Sequence, residues 1–253
     1  MLEEVRSATR ASHPRSPEAT LLGTRLAASP FLSSEERHAL ESITLPPRSI
    51  AAYKDLLRQC EPAHHVEILI EGWACRYKTT REGHRQIVAL LIPGDVANLD
   101  TSLFTRSNYS ARTLTAAKTI SVARDRISSL AEQHIGIAKT LAWLAMRENA
   151  ILSQWALCLG RLSARQRLAH LLCELSVRLG NAVETESRFE LPLTQEQIAD
   201  MLGLTAVHVN RMVQQLRAGG LIDTHGRAMT ITDMAALRRI GEFDPAYLHD
   251  QRA

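Results

Sequence analysis

Residues Leu193 to Ile222 read LTQEQIADMLGLTAVHVNRMVQQLRAGGLI, and they set amide, imidazole and guanidinium groups at helical spacing. Thr194 precedes Gln197 by three residues, the spacing of a capping box, which opens a helix by satisfying N–H groups of its first turn. Ile198 and Leu202 share one face of that helix. Gly203 follows where the chain must turn sharply, and glycine tolerates the positive φ such a turn needs. Thr205 then suits the cap of a second helix, whose inward face is Val209, Met212, Val213 and Leu216. The opposite face carries Val207, His208, Asn210, Arg211, Gln214 and Gln215. An arginine can bond guanine O6 and N7 together, and asparagine or glutamine can do the same with adenine. Apolar residues inward and donors outward predict a helix-turn-helix that reads base edges in the major groove of double-stranded DNA. An unrelated helical hairpin would share the periodicity, but not the cap, the glycine and the turn together.

The flanking residues extend this reading. Gly219-Gly220 ends the second helix, and Leu221–Thr224 and Ala228–Ile231 flank His225-Gly226-Arg227, the pattern of a β-hairpin wing. Arg227, at its tip, suits the phosphate backbone. Thr232 or Asp233 can cap a last helix, Met234–Ile240. Asn210 and Arg211 are the predicted base-reading residues, with Thr194, Gln195, Thr205 and His208 better placed for phosphate.

Other elements must hold this unit in place. Residues 1–18 contain two prolines, several charges and little periodic apolar content, and read as a mobile tail. A short helical stretch is expected near 21–26 and again at 34–42, where Ser33 or Ser34 can cap. Between 45 and 125, short alternating segments (His65–Ile70, Trp73–Lys78, Gln86–Leu91, Thr119–Ala123) are separated by the turns Glu71-Gly72, Glu82-Gly83 and Pro93-Gly94-Asp95. They predict a small β-barrel or sandwich. From Ser129 to Gly160 the pattern becomes helical. Ile137, Leu141, Leu144, Ile151, Trp155, Cys158 and Leu162 recur every 3.5 residues, with Glu148 at the one missing position, and Ala138, Ala145, Leu152 and Leu159 form a second row. So wide a stripe suits a helix that packs on its own barrel and on a partner helix, so Ile137, Leu141, Leu144, Ile151 and Trp155 are predicted to form a dimer seam. Another amphipathic helix is expected at 162–179, and an acidic linker at 184–190. The domain limits read as a tail over 1–18, a barrel over 19–128, a dimerisation helix over 129–160 and a winged helix-turn-helix over 161–253.

Bulk properties exclude more than they specify. The 253 residues are 45% hydrophobic and 23% charged, with a net charge of +3, as in an ordinary soluble protein. From residue 161 onward eleven arginines balance eleven carboxylates, so a DNA surface must come from arrangement rather than excess charge. No apolar run reaches the roughly 18–20 residues of a membrane helix, and no secretory signal is visible, which predicts a cytoplasmic protein without a membrane partner. Hydrolase, nucleotidase and zinc-protease motifs are missing, and adjacent His64 and His65 would point to opposite faces of a strand, so an enzyme is not expected.

Barrel, long helix and winged helix-turn-helix in that order resemble the Crp/Fnr family of bacterial regulators, over roughly residues 20–245. The marks are EGWACRYK (71–78), RQIVALLIPGDV (85–96), LTQEQIADMLGLTAVHVNRMV (193–213) and EFDPAYL (242–248), the last similar to the branch abundant in alphaproteobacteria. The resemblance implies an α+β chain, namely a cyclic-nucleotide-binding-like jelly-roll barrel, a dimerisation helix and a C-terminal winged helix-turn-helix. It also implies a homodimer on a two-fold-related operator and, for an activator, RNA polymerase as a further partner. The family's base-reading positions fall on Ala206, Val207 and Arg211. Its two commonest signatures have Glu where Val207 stands, so an altered half-site is expected.

The family's barrel often binds cyclic AMP through a Gly-Glu pair and an Arg-Ser pair. Here VANLDTSLF follows Gly94-Asp95 without the Glu, and SNYSARTLTAAKT lacks the Arg-Ser pair, with Arg112 offset. A buried phosphate would lack its charge-assisted partner, which argues against cyclic AMP. The family's iron–sulfur version has an N-terminal cysteine cluster, whereas residues 1–59 hold no cysteine. Haem ligation by Cys75 with His64, His65 or His84 competes with the simpler reading of Cys75 as a core thiol. No cofactor is therefore predicted, while oxidation of Cys60 or Cys75 stays open. A cyclic-nucleotide-responsive regulator and a ligand-binding scaffold without DNA binding are the alternatives.

Overall fold

The computed structural model describes residues 19–20, 25–27, 29–180 and 186–249. The expected tail over 1–18, residues 21–24 of the first helical stretch and residues 184 and 185 of the expected linker lie outside the described residues.

Strand β1 (Ala19–Thr20) pairs with β2 (Thr44–Leu45), and helix α1 (Ser34–Glu41) lies between them in sequence. Ser33 caps α1 in a reciprocal box with Glu36. The alternating segments then build two antiparallel sheets. One has β3 (Arg48–Ile50), β9 (Ala117–Ala123) and β5 (His65–Glu71), in that spatial order. The other has β4 (Asp55–Leu57), β8 (Ser110–Thr113), β6 (Ala74–Thr79) and β7 (Arg85–Leu91). Leu69 and Ala117 from the first sheet meet Ala74 and Leu91 from the second in a core of mostly small side chains. Strands β3, β4 and β8 were not expected. They are three or four residues long, too short to show alternation.

The long helical stretch is two helices, α2 (Arg124–Gln133) and α3 (Ile135–Arg161), rather than the one expected from Ser129. His134 separates them with φ −130° and ψ 104°. Glu36 explains the new start, because its carboxylate accepts the Gly136 N–H at 2.6 Å and so serves an N-terminal donor of α3. Beyond α3 come α4 (Ala164–Arg178), β10 (Ser187–Glu190), α5 (Gln195–Leu202), α6 (Ala206–Ala218), β11 (Ile222–His225), β12 (Ala228–Ile231) and α7 (Met234–Gly241). A single 3-10 turn, Pro245–Leu248, follows. The second half of the expected linker is strand β10, which makes the wing three-stranded in the order β10, β12, β11. Ser187 and Phe189 are buried while Arg188 and Glu190 face out. That alternation is readable, but the flanking glutamates masked it as a solvated linker.

Helix α3 corrects the expected seam. Ile137 and Leu144 are buried with Val66, Ile68 and Ile120 of the barrel, and Leu141 packs on the same cluster. Trp155 is buried in the cluster of α4 and the C-terminal helices, with Ile151 packed against that cluster, and Cys158 is buried as well. The row predicted to meet a partner is thus used within the chain. The exposed row is Ile135, Ala142, Ala145, Asn149, Leu152, Ala156 and Leu159, with Ala138 half-buried in line with them. Two rows of the same 3.5-residue period run side by side, and periodicity cannot say which one the barrel takes.

Barrel and C-terminal region share one buried cluster. Trp73, Cys75, Ile87 and Leu90 belong to the same cluster as Leu168, Leu172, Met201 and Leu216. Helices α4 and α7 approach so closely that a Cβ on Gly241 would lie 2.6 Å from the His170 backbone nitrogen. Gly241→Ala must push the two helices apart, and it should destabilise the fold by about 1–3 kcal/mol. Urea unfolding with an unchanged midpoint would show that the pair can yield without cost.

Candidate nucleic-acid interface

The helix-turn-helix is built by local chemistry at each joint. Thr194 Oγ1 accepts the Gln197 N–H at 3.2 Å, and the Gln197 side chain accepts the Thr194 N–H at 2.8 Å. Gly203 closes α5 in the left-handed conformation at φ 62°, and Thr205 Oγ1 accepts the His208 N–H at 3.2 Å to open α6. In both caps the threonine uses its oxygen as acceptor, so its O–H remains a donor for a phosphate oxygen. Each helix also presents the positive end of its dipole there. Ile198, Met201 and Leu202 of α5 and Val209, Met212 and Leu216 of α6 are buried beneath, and Val213 is half-buried.

Most of the predicted contact residues are exposed. Thr194, Thr205, Asn210, Arg211 and Gln214 are exposed, and Val207 is 81% exposed, a high value for an apolar side chain. Ala206 and His208 are half-buried at the first turn of α6. Gln195 is half-buried too, with its Oε1 enclosed and no donor for it among the described residues. Arg211 forms no ion pair among the described residues, so its guanidinium is not already committed to a carboxylate. Gly226 turns the wing at φ 59°, and Arg227 is exposed beside it with its carbonyl tied to the Leu191 N–H at 2.8 Å. Arg217 and His225 lie near Asp223, at 3.6 and 3.8 Å, and Asp223 offsets part of the Arg217 charge. Arg188, exposed on β10, is a cation of this sheet that sequence reasoning missed, because its strand was read as linker.

A second feature is a cavity of about 1030 Å³ that opens between β6, β7, the 3-10 turn at Leu99–Ser102 and α3. Its inner wall is Arg76, buried and bonded bidentately to Glu148 of α3 at 2.7 and 2.8 Å. Arg76 also donates to the carbonyls of Val96 and Ala97 and lies 5.0 Å from the centre of the Tyr109 ring. The register shift between Arg76 and Tyr77 in the β6–β7 pairing falls at this residue. Glu148, which interrupted the apolar row in the sequence, is thereby explained. Arg112 does not line the cavity, and it donates to the Tyr53 carbonyl at 2.7 Å instead. The four thiols do not converge. Cys60 is exposed and the others are buried, and burial pushes Cys75 and Cys173 up to about 12 and Cys158 up to about 11. Among the described residues no three His, Cys, Asp or Glu side chains gather to hold a metal. His64, His65 and His84 are exposed, away from the core position of Cys75, so this donor set does not fit haem.

The model of the Crp-like helix-turn-helix domain matches residues 166–240, and that of the cyclic nucleotide-binding domain matches residues 47–134. The transcriptional activator protein FnrL of Cereibacter sphaeroides is 30% identical over 209 residues, 81% of this chain and 83% of that protein. The nitrogen fixation regulation protein FixK of Azorhizobium caulinodans is 28% identical, covering 77% of this chain and 78% of the other. The solved structure of FixK2 from Bradyrhizobium japonicum superposes with a TM-score of 0.71 at 27% identity, over 78% of this chain and 96% of that one. The chain belongs to the Crp/Fnr family. It is a DNA-binding transcription regulator, and the relatives it matches are regulators rather than enzymes.

Two substitutions separate the roles of the exposed arginines. Arg211→Ala should cost about 1–3 kcal/mol on the cognate site and relax sequence preference there. Arg227→Ala should weaken all sequences alike and lower the salt dependence of binding by about one unit of slope. Anisotropy titrations over a salt series check both, and a uniform loss for Arg211→Ala would remove it from base reading.

Proposed function

We propose that the chain binds two-fold-related operators as a homodimer, joined along α3, and that it does so without cyclic AMP, an iron–sulfur cluster or haem. The outward row of α3 carries this reading. Residues 135, 138, 142, 145, 149, 152, 156 and 159 alternate steps of three and four, the spacing of a two-stranded coiled coil. Ile135, Leu152 and Leu159 are 71%, 51% and 37% exposed in the single chain, and the alanines among them let a second helix approach closely. Each subunit then offers one α6 to one half-site, with half-sites about one helical turn, roughly 34 Å, apart. Asn210 and Arg211 read bases, Val207 meets an apolar group such as a thymine methyl, and Thr194, Gln195, Thr205, His208, Gln214 and Arg227 hold the backbone or neighbouring edges. By analogy with FnrL the regulator acts as an activator that engages RNA polymerase, in the cytoplasm. No described helix is long and apolar enough to cross a membrane. The sensor unit spans 19–128, the pairing helix 129–160 and the DNA-binding unit 161–253.

Independence from cyclic AMP is supported by the chemistry of the cavity wall. A nucleotide phosphate needs a cation free to bond it. Arg76 is bound by Glu148, and Arg178 is bound by Asp95 and Glu174. Arg25 is also paired with Asp95.

Selection of the operator from random DNA tests the reading directly. It should return inverted repeats that differ from half-sites read by a Glu at the Val207 position. Leu152→Glu should convert the dimer to monomer in sedimentation velocity, whereas Leu144→Glu should unfold the barrel side of α3. A dimer that survives Leu152→Glu places the interface elsewhere. Titration calorimetry with cyclic AMP should show no saturable heat up to about 1 mM, an affinity of only about 4 kcal/mol.

A further inference from the structure

Four charged side chains of alternating sign link the barrel to the DNA-binding unit; three of them, Arg25, Asp95 and Arg178, also line the cavity, and base reading does not account for them. Arg25 donates through Nε to Asp95 Oδ1 at 2.5 Å, and Arg178 Nη2 donates to Asp95 Oδ2 at 2.9 Å. Arg178 Nη1 continues to Glu174 Oε1 at 3.0 Å, one turn back on α4. Asp95, Arg178 and Glu174 are 7%, 8% and 0% exposed. The run is tied to its surroundings as well. Asp95 accepts the Ile92 N–H at 2.9 Å, and Arg178 Nη2 also donates to the Leu90 carbonyl of β7 at 2.7 Å. Glu174 Oε2 accepts from Trp155 Nε1 of α3 and from the Tyr247 hydroxyl of the C-terminal turn, both at 2.8 Å.

Buried ion pairs of this kind contribute little net stability, because the cost of removing each charge from water offsets their attraction. Arg178 Nε is even left buried without an acceptor. A plain apolar contact would hold the two units together as well, but it would let them slide. Directional bonds between oppositely charged groups allow one arrangement. The attachment points are also well spread. Arg85 Nε donates to Asp200 Oδ2 at 2.8 Å, and the Gln86 amide donates to the Asp200 carbonyl at 2.6 Å, which ties β7 to α5 itself. Residues 85 and 90 of β7 are about 16 Å apart at the rise of a strand. Two points on one strand leave rotation about that line, and the Trp155–Glu174 bond to α3 removes it.

We infer that Asp95, Arg178 and Glu174, with Asp200 as the second tie, are positioning residues for operator recognition. They fix α6 relative to α3 and thereby set the spacing of half-sites that the dimer accepts. A change of one base pair moves a half-site by about 3.4 Å and rotates it by about a tenth of a turn. A swivelling DNA-binding unit would follow such a change, and a clamped one would not. The inference rests on the proposed dimer.

The experiment uses the full chain, its selected operator, the same operator with the centre lengthened or shortened by one and two base pairs, and a single half-site. The unsubstituted chain should lose about tenfold or more in affinity per base pair of altered spacing. Asp95→Asn and Arg178→Gln should bind the single half-site within about twofold of it, yet discriminate among spacings by less than about threefold. Arg85→Gln, at a partly exposed site, should relax the preference to an intermediate degree and covers the case in which the buried variants fail to fold. Unchanged spacing preference in Arg85→Gln or in either buried variant that folds, or loss of half-site affinity as large as the loss on the full site, overturns the inference. Equal binding of the unsubstituted chain to single and paired half-sites would overturn the dimer reading instead.

Discussion

One helix has to serve three surfaces. With 3.6 residues per turn, the 27 residues of α3 present stripes to the barrel, to the DNA-binding unit and outward, and no residue can belong to two of them. Ile137 and Leu144 are used by the barrel, Trp155 and Ile151 by α4 and its neighbours. What remains is a narrow row rich in alanine. Because the inward stripes shift from one unit to the other along its length, α3 sets the position of both. Glu148 marks the changeover, where an apolar side chain is replaced by a carboxylate that bonds Arg76 of the barrel.

Because of this arrangement, the barrel and the helix-turn-helix are not separate bodies on a linker. The sheet face carrying Cys75 and Ile87 is buried in the same cluster as the inward faces of α4, α5 and α6. Mostly apolar contact supplies the attraction, since burial of such surface is non-directional and scales with area. The charged run through Asp95 and Arg178 supplies orientation. Burial alone would raise the Asp95 carboxyl, but Arg25 and Arg178, with the Ile92 N–H, hold it below the usual carboxylate range. It therefore stays ionised and bonded at neutral pH.

Much of this was legible in the sequence, and the rest was hidden for identifiable reasons. Caps and turns are local, so Thr194, Gly203, Thr205, Gly226 and Asp233 announced the C-terminal elements from their own neighbours. Long alternating strands such as β5 and β7 were visible, whereas three-residue strands such as β3 and β4 carry too few residues to show a period. The predicted row on α3 proved to be buried within the chain, because two rows share a 3.5-residue repeat and only tertiary contact separates them. Arg76 and Glu148 are 72 positions apart, and no pattern along the chain links them. Asp95 was noted as part of a turn, but its partners Arg25 and Arg178 are 70 and 83 positions away.

Asn149 stands in the middle of the outward row, where every other member is aliphatic. A lone amide in an apolar seam bonds well only to an identical amide directly across from it, and any offset leaves it unsatisfied. In a cell that contains several related regulators with similar helices, such a residue acts as a tag of kinship. Chains that carry the amide at the same level can pair, and mixed assemblies with a mismatched partner bury a polar group at a loss. With pairing along α3 as proposed, the composition of the dimers, and with it the set of genes each regulator can reach, is decided on that helix before any DNA is met.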